Sequence, residues 1–61
     1  MKGIIAKTYL GQNFVGYYLS VYDEDDYLVS CQLYNFLSNV MDTLEDQGIV
    51  YCGIIRREYN F

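Results

Sequence analysis

DYLVSCQLYNFLSNVMDTLEDQG, residues 26–48, is the stretch on which the reading of this chain turns. Val29, Leu33, Phe36, Leu37, Val40 and Leu44 recur at steps of three and four, which on a 3.6-residue period makes one apolar stripe. Gln32, Asn35, Asn39, Asp42, Thr43 and Asp46 fall on the other side. The pattern predicts one amphipathic helix across the whole stretch. Asp26 or Ser30 would cap it, the acids before it would favour its N-terminus, and Gly48 would end it in the left-handed conformation. Leu37 stands mid-stripe, so truncating it to alanine is expected to cost roughly 2–5 kcal/mol.

Working outward, residues 3–10 (GIIAKTYL) are rich in β-branched and aromatic side chains and read as a strand. Ile4, Ala6, Thr8 and Leu10 lie on one side of it, Ile5, Lys7 and Tyr9 on the other. Gly11, Gln12 and Asn13 read as a three-residue hairpin turn, and residues 14–22 (FVGYYLSVY) as a second strand. Its aliphatic side, Val15, Tyr17, Leu19 and Val21, is the side expected under the helix. After Gly48, residues 49–61 (IVYCGIIRREYNF) read as a third strand, with Val50, Cys52 and Ile54 toward the helix. The expected fold is α+β: a ββαβ layer, one helix on one face of a small three-stranded mixed sheet in order 3-1-2. In it the third strand runs parallel in direction to the second and antiparallel to the first.

A chain of 61 residues makes one small domain, near the lower limit at which a hydrophobic core suffices. Something has to supplement that core, and self-association as a homodimer or higher oligomer is the expectation. The chain opens directly with MKGIIAK and shows no signal peptide pattern, so Cys31 and Cys52 are expected to be reduced thiols in the cytoplasm, serving as small buried hydrophobes. No apolar run approaches the ~18–20 residues of a membrane span, which predicts a soluble protein. The side chains sum to a charge of −4 with only Lys2, Lys7, Arg56 and Arg57 basic. That balance argues against direct binding to nucleic acid or to anionic lipid.

Catalysis is not expected. Histidine is absent, no glycine-rich phosphate loop occurs, and the acids of DEDD lack the alternating spacing of a calcium loop. No cofactor or metal is implied. Two features point instead to protein contacts. One helix covers one sheet face, and the other face is expected to expose Phe14, Tyr18, Tyr22, Ile5, Tyr9, Tyr51, Ile55 and Tyr59 as one patch. Of these, Tyr9, Phe14, Tyr51, Ile55 and Tyr59 are assigned to self-association. Asp23, Glu24, Asp25 and Asp26, with Tyr27, Tyr18 and Tyr22, are assigned to a partner.

The expected function is a small acidic inhibitor or adaptor that occludes a surface of a larger protein, such as the basic groove of a nucleic-acid-binding enzyme. Viral antagonists of bacterial defence, of the anti-CRISPR and anti-restriction kinds, are often of this size and charge, and would act in the host cytoplasm. The alternative is a structural homo-oligomer, or a minor subunit of an assembly, that uses its tyrosine-rich sheet face.

Overall fold

A computed structural model of the chain describes residues 1–60. Its elements are β1 (Lys2–Leu10), β2 (Asn13–Tyr22), β3 (Leu28–Tyr34), α1 (Leu37–Asp46) and β4 (Val50–Tyr59). They form a four-stranded mixed sheet in order β3-β2-β1-β4 with one helix, which overturns the expected three-stranded ββαβ sheet. β2 is antiparallel to both β1 and β3, and β4 pairs parallel to β1.

The difference originates in residues 28–34. Val29, Cys31 and Leu33 alternate with Ser30 and Gln32, the two-residue period of a strand. Their four-residue spacing, Val29 to Leu33, is also helical, so the stretch satisfies both periods. Docked as a strand, it satisfies the outer backbone groups of β2 and lays Leu33 over Gly16, where an added Cβ would stand 2.7 Å from Leu33 Cδ1 and 2.8 Å from the Tyr34 carbonyl oxygen. One added strand also reverses the chain direction once more. The helix therefore returns β4 parallel to β1 rather than antiparallel to it.

α1 is ten residues long, about 15 Å. Phe36, extended at φ −126° and ψ 138°, precedes it without any side-chain cap, so neither Asp26 nor Ser30 has the predicted role. Its end follows the expectation. Gly48 takes φ +63°, its N–H donates to the Glu45 carbonyl, and the Ile49 N–H donates to the Leu44 carbonyl at 2.9 Å. This is the paired closure of a Schellman motif, and Ile49 and Leu44 make its hydrophobic contact within the core. Val40 and Leu44 are buried, whereas Leu37 is 38% exposed and is not the central core residue that the longer helix implied.

The core holds Ile5, Leu19, Val21, Val40, Leu44 and Ile49, with Tyr17 and Tyr34 packed at its margin. Gly3 lets the helix end approach β1, since a Cβ there would lie 2.9 Å from both Ile49 Cγ2 and Leu44 Cδ2. Two irregularities redistribute the side chains. Leu10 pairs with Asn13, so Gly11 and Gln12 form a two-residue turn rather than a three-residue one, and a shift between Thr8 and Tyr9 moves Val15 away from the helix side. A shift between Gly3 and Ile4 leaves Cys52 unpaired on β4. Of the β4 residues expected under the helix, Val50 pairs with Lys2 and Cys52 lines a hollow on the uncovered face. Ile54, beside Ile5, is on the helix side.

Candidate protein-binding surfaces

The four acids after β2 close a β-hairpin instead of introducing a helix. Asp23 Oδ1 accepts hydrogen bonds from the Asp25 N–H at 2.9 Å and the Tyr27 N–H at 3.0 Å, and the Asp26 N–H donates to the Asp23 carbonyl at 3.1 Å. Asp26 has φ +64°, a conformation that aspartate tolerates better than most residues. Its carboxylate meets Lys2 Nζ at 2.6 Å. The hydrogen bond to Asp26, followed by the charge of that carboxylate, holds the Lys2 ammonium above its ordinary value. Asp23 and Asp26 thus have local structural roles, while Glu24 and Asp25 project from the turn into solvent.

The sheet register gathers the charges. Tyr22, just before the turn, pairs with Lys2, and Lys2 pairs on its other side with Val50, just after the helix. The acidic turn and the helix C-terminus, with Glu45, Asp46 and, one turn earlier, Asp42, therefore lie at the same end of the sheet. Seven of the eight carboxylate side chains lie toward this end, and Lys2 is the one basic side chain among them. Toward the opposite end Lys7 pairs with Arg56 and Thr8 with Arg57 across β1 and β4, next to Glu58. A reading of the sequence as one long helix separates Asp23 and its neighbours from Glu45 and Asp46 by the helix length; the strand at residues 28–34 reunites them.

The aromatic residues divide between two faces and do not form the single patch expected. Ile5, placed in that patch by the sequence reading, is fully buried beneath the helix. Tyr9 and Phe14 are on the helix side, beyond the N-terminus of α1. Phe14 contacts the Tyr9 ring at 5.5 Å and the Tyr17 ring at 5.1 Å, edge to face. Arg56 stacks over Tyr9 at 4.2 Å while donating to Glu58, and Lys7 Nζ stands 5.8 Å from the Phe14 ring. Tyr51 pairs with Gly3 on the helix side, at the acidic end. Tyr18, Tyr22, Ile55 and Tyr59 are on the uncovered face. Tyr27 is 71% exposed at the acidic turn.

The uncovered face is more aliphatic than predicted. Leu10, Val15, Leu33, Ile55 and Tyr59 are all substantially exposed there, around a centre lowered by Ala6 and Thr8. Two shallow hollows mark its ends. One, of about 420 Å³, is lined by Thr8, Leu10, Val15, Tyr18, Cys31, Arg57 and Tyr59. The other, of about 360 Å³, is lined by Lys2, Ile4, Tyr22, Asp26 and Cys52. Both cysteines are exposed thiols, not buried hydrophobes. They stand on the two edge strands with β2 and β1 between them, about 14 Å at ordinary strand spacing, beyond the ~7 Å limit for a disulfide.

Leu33 and Val15 were missing from the candidate surface. The alternation from Val29 to Leu33 was the available signal for the first; the bulge that turns Val15 outward has none in the local sequence. Among the described residues no helix is long and apolar enough to cross a membrane. Comparison with protein-family models, with curated proteins and with solved structures finds no match.

Proposed function

We propose that this chain is a protein-binding inhibitor or adaptor whose acidic end docks on a basic surface of a larger protein, in the manner of a phosphate backbone in a nucleic-acid groove. The observation that supports this reading is the convergence of seven carboxylates at one end of a molecule only 34 Å long, against one lysine. Clustered like charges raise the electrostatic energy of the folded chain, and a complementary cationic partner relieves that repulsion. Tyr27, exposed beside the acids, supplies an aromatic contact of the kind that anchors interfaces. An enzyme that grips DNA or RNA, including one serving bacterial defence against viruses, is the type of partner that this surface fits.

The test replaces carboxylates that have no structural duty. Glu24→Gln, Asp25→Asn, Glu45→Gln and Asp46→Asn together leave Asp23 and Asp26, and so the hairpin, in place. Immobilised wild type and variant are challenged with a bacterial lysate, with and without added duplex DNA. The expected result is that wild type retains nucleic-acid-binding proteins, that DNA displaces them, and that raising salt from ~50 to ~200 mM weakens retention severalfold or more. Equal retention by the variant, or retention indifferent to both DNA and salt, overturns the proposal.

A further inference from the structure

The two edges of the sheet differ. β4, the edge beside β1, carries Arg56, Arg57 and Glu58, holds Gly53 at φ +145° and has an irregular register at its start. Charge and irregularity of this kind keep an edge from pairing with other chains. β3, the opposite edge, has neither a charged residue nor a proline, and Leu28 to Leu33 are exposed along it. Its backbone orientation follows from the turn before it. The Asp23 N–H donates to the Tyr27 carbonyl at 3.0 Å, so on β2 the alternate residues Val21, Leu19 and Tyr17 turn their backbone groups toward β3, opposite Ser30, Gln32 and Tyr34. Cys31 and Leu33, which fall between these, turn their N–H and C=O groups outward.

We infer that β3 pairs antiparallel with the β3 of a second copy across a two-fold axis at Gln32, joining two four-stranded sheets into one of eight strands. The edge is distinct from the acidic end used in the proposed function, so the two readings fail separately. The register is selected by the outward groups. With the axis at Gln32, Cys31 faces the partner's Leu33 and Leu33 faces the partner's Cys31, and both pairs exchange backbone hydrogen bonds. An axis at Cys31 would need Val29 opposite Leu33, but the shift between Val21 and Tyr22 makes Val29 the extra residue of a bulge.

Two features select a second copy over a foreign strand. A residue on a two-fold axis faces itself, and a glutamine amide, donor and acceptor in one group, complements its own kind, whereas a charged residue would repel it. Gln32 is the residue there, on the helix side, where Ser30, Tyr34, Thr43 and Gln47 line a neutral polar hollow with it. The antiparallel arrangement also sends the two acidic turns to opposite ends, roughly 40 Å apart at ~3.3 Å per residue from the axis. That is several times the ~8–10 Å range of charge interaction in physiological salt, so the repulsion of two acidic chains is minimised. A contact one strand long is a small one, and its dissociation constant is expected on the order of 100 µM.

Sedimentation equilibrium of the full chain is expected to show monomer at about 10 µM and dimer at about 1 mM. Gln32→Lys and Gln32→Glu, on an exposed side chain, should each keep the far-ultraviolet circular dichroism of the wild type and weaken the dimer at least tenfold, by setting like charges face to face. Mixing the two variants should restore association as a heterodimer. A cysteine at the axis reports the register: opposite residues there are about 4.5 Å apart at Cα, within disulfide reach. In a Cys31→Ser, Cys52→Ser background, Gln32→Cys should therefore link two chains under mild oxidation, and Ser30→Cys should not. A wild type that stays monomeric at about 1 mM leaves the edge to a foreign strand and overturns the inference. A dimer indifferent to both charged variants, a mixture that associates no better than either alone, or equal linking through positions 30 and 32 would do so as well.

Discussion

Ile5 and Ile55 lie on neighbouring strands of one sheet, yet the first is 0% exposed and the second 47%. The helix side of the sheet places Gly3, Leu19 and Val21 around Ile5 and lowers Val40 and Leu44 onto them. The other side has side chains of similar character and nothing above them. Hydropathy treats the two faces alike. What separates them is a ten-residue helix whose footprint reaches one side only, and there only the half nearer the acidic end. The contrast teaches that, in a chain this small, exposure of apolar residues follows from too few covering elements and does not by itself distinguish core from contact surface.

The sharpest way to break this contrast is to make the same change on both faces. Ile5→Ala is expected to cost about 2–5 kcal/mol in urea unfolding at any protein concentration, and Leu44→Ala similarly. Ile55→Ala, on the face that nothing covers, should cost about 1 kcal/mol or less. Equal losses at Ile5 and Ile55 would show that the second face is covered as well as the first. A smaller effect tests the strand that creates the open face. Gly16→Ala pushes a methyl group into Leu33 and the Tyr34 carbonyl, and should cost about 1–3 kcal/mol by overpacking. If residues 28–34 were helical instead, the substitution would be neutral or stabilising in the unfolding curve.

Leu37→Ala comes next. Its partial exposure reduces the expected loss to about 1–2 kcal/mol, below that of a buried leucine. A loss equal to that of Leu44→Ala would mean the helix is rotated relative to the sheet. The smallest effect belongs to the ion pair at the acidic end. Folding raises the Lys2 value above its ordinary 10.5, so the pair stabilises the fold fully below that pH and loses its effect as pH rises through the folded value. Asp26→Asn retains a residue that tolerates the left-handed backbone and removes the charge. Thermal melts should show a slight deficit for the variant near neutral pH that closes above pH 10.5. A deficit unchanged at higher pH would assign the role of Asp26 to the turn alone.

Much of the first hairpin was legible, because β-branched and aromatic runs on either side of Gly11 admit few alternatives. The helix from Leu37 onward was legible as well, since Leu37, Val40 and Leu44 have no two-residue alternation to compete with their helical spacing. The stretch from Leu28 to Tyr34 was not. Residues four apart share a face in both a helix and a strand, so the pair Val29 and Leu33 does not discriminate between them. The candidate surfaces suffered accordingly. The acidic residues were recognised, but their convergence depends on chain direction. The aromatic patch was misassembled for two reasons: β1 turns the side with Ile5 and Tyr9 toward the helix, and one-residue shifts near Val15 and Cys52 put Phe14 and Tyr51 on that side as well.

Local sequence determined that strands and a helix form here, that Gly48 closes the helix, and that Val40 and Leu44 turn inward, because each of these follows from backbone preference or periodicity over a few residues. Only the tertiary structure decided that residues 28–34 join the sheet, that β4 runs parallel to β1, and that the acids collect at one end while an aliphatic face is left uncovered. Those outcomes depend on which strand edge still has unpaired N–H and C=O groups and on where a methyl group fits beside a glycine. Both are properties of residues distant in the chain, and no local pattern encodes them.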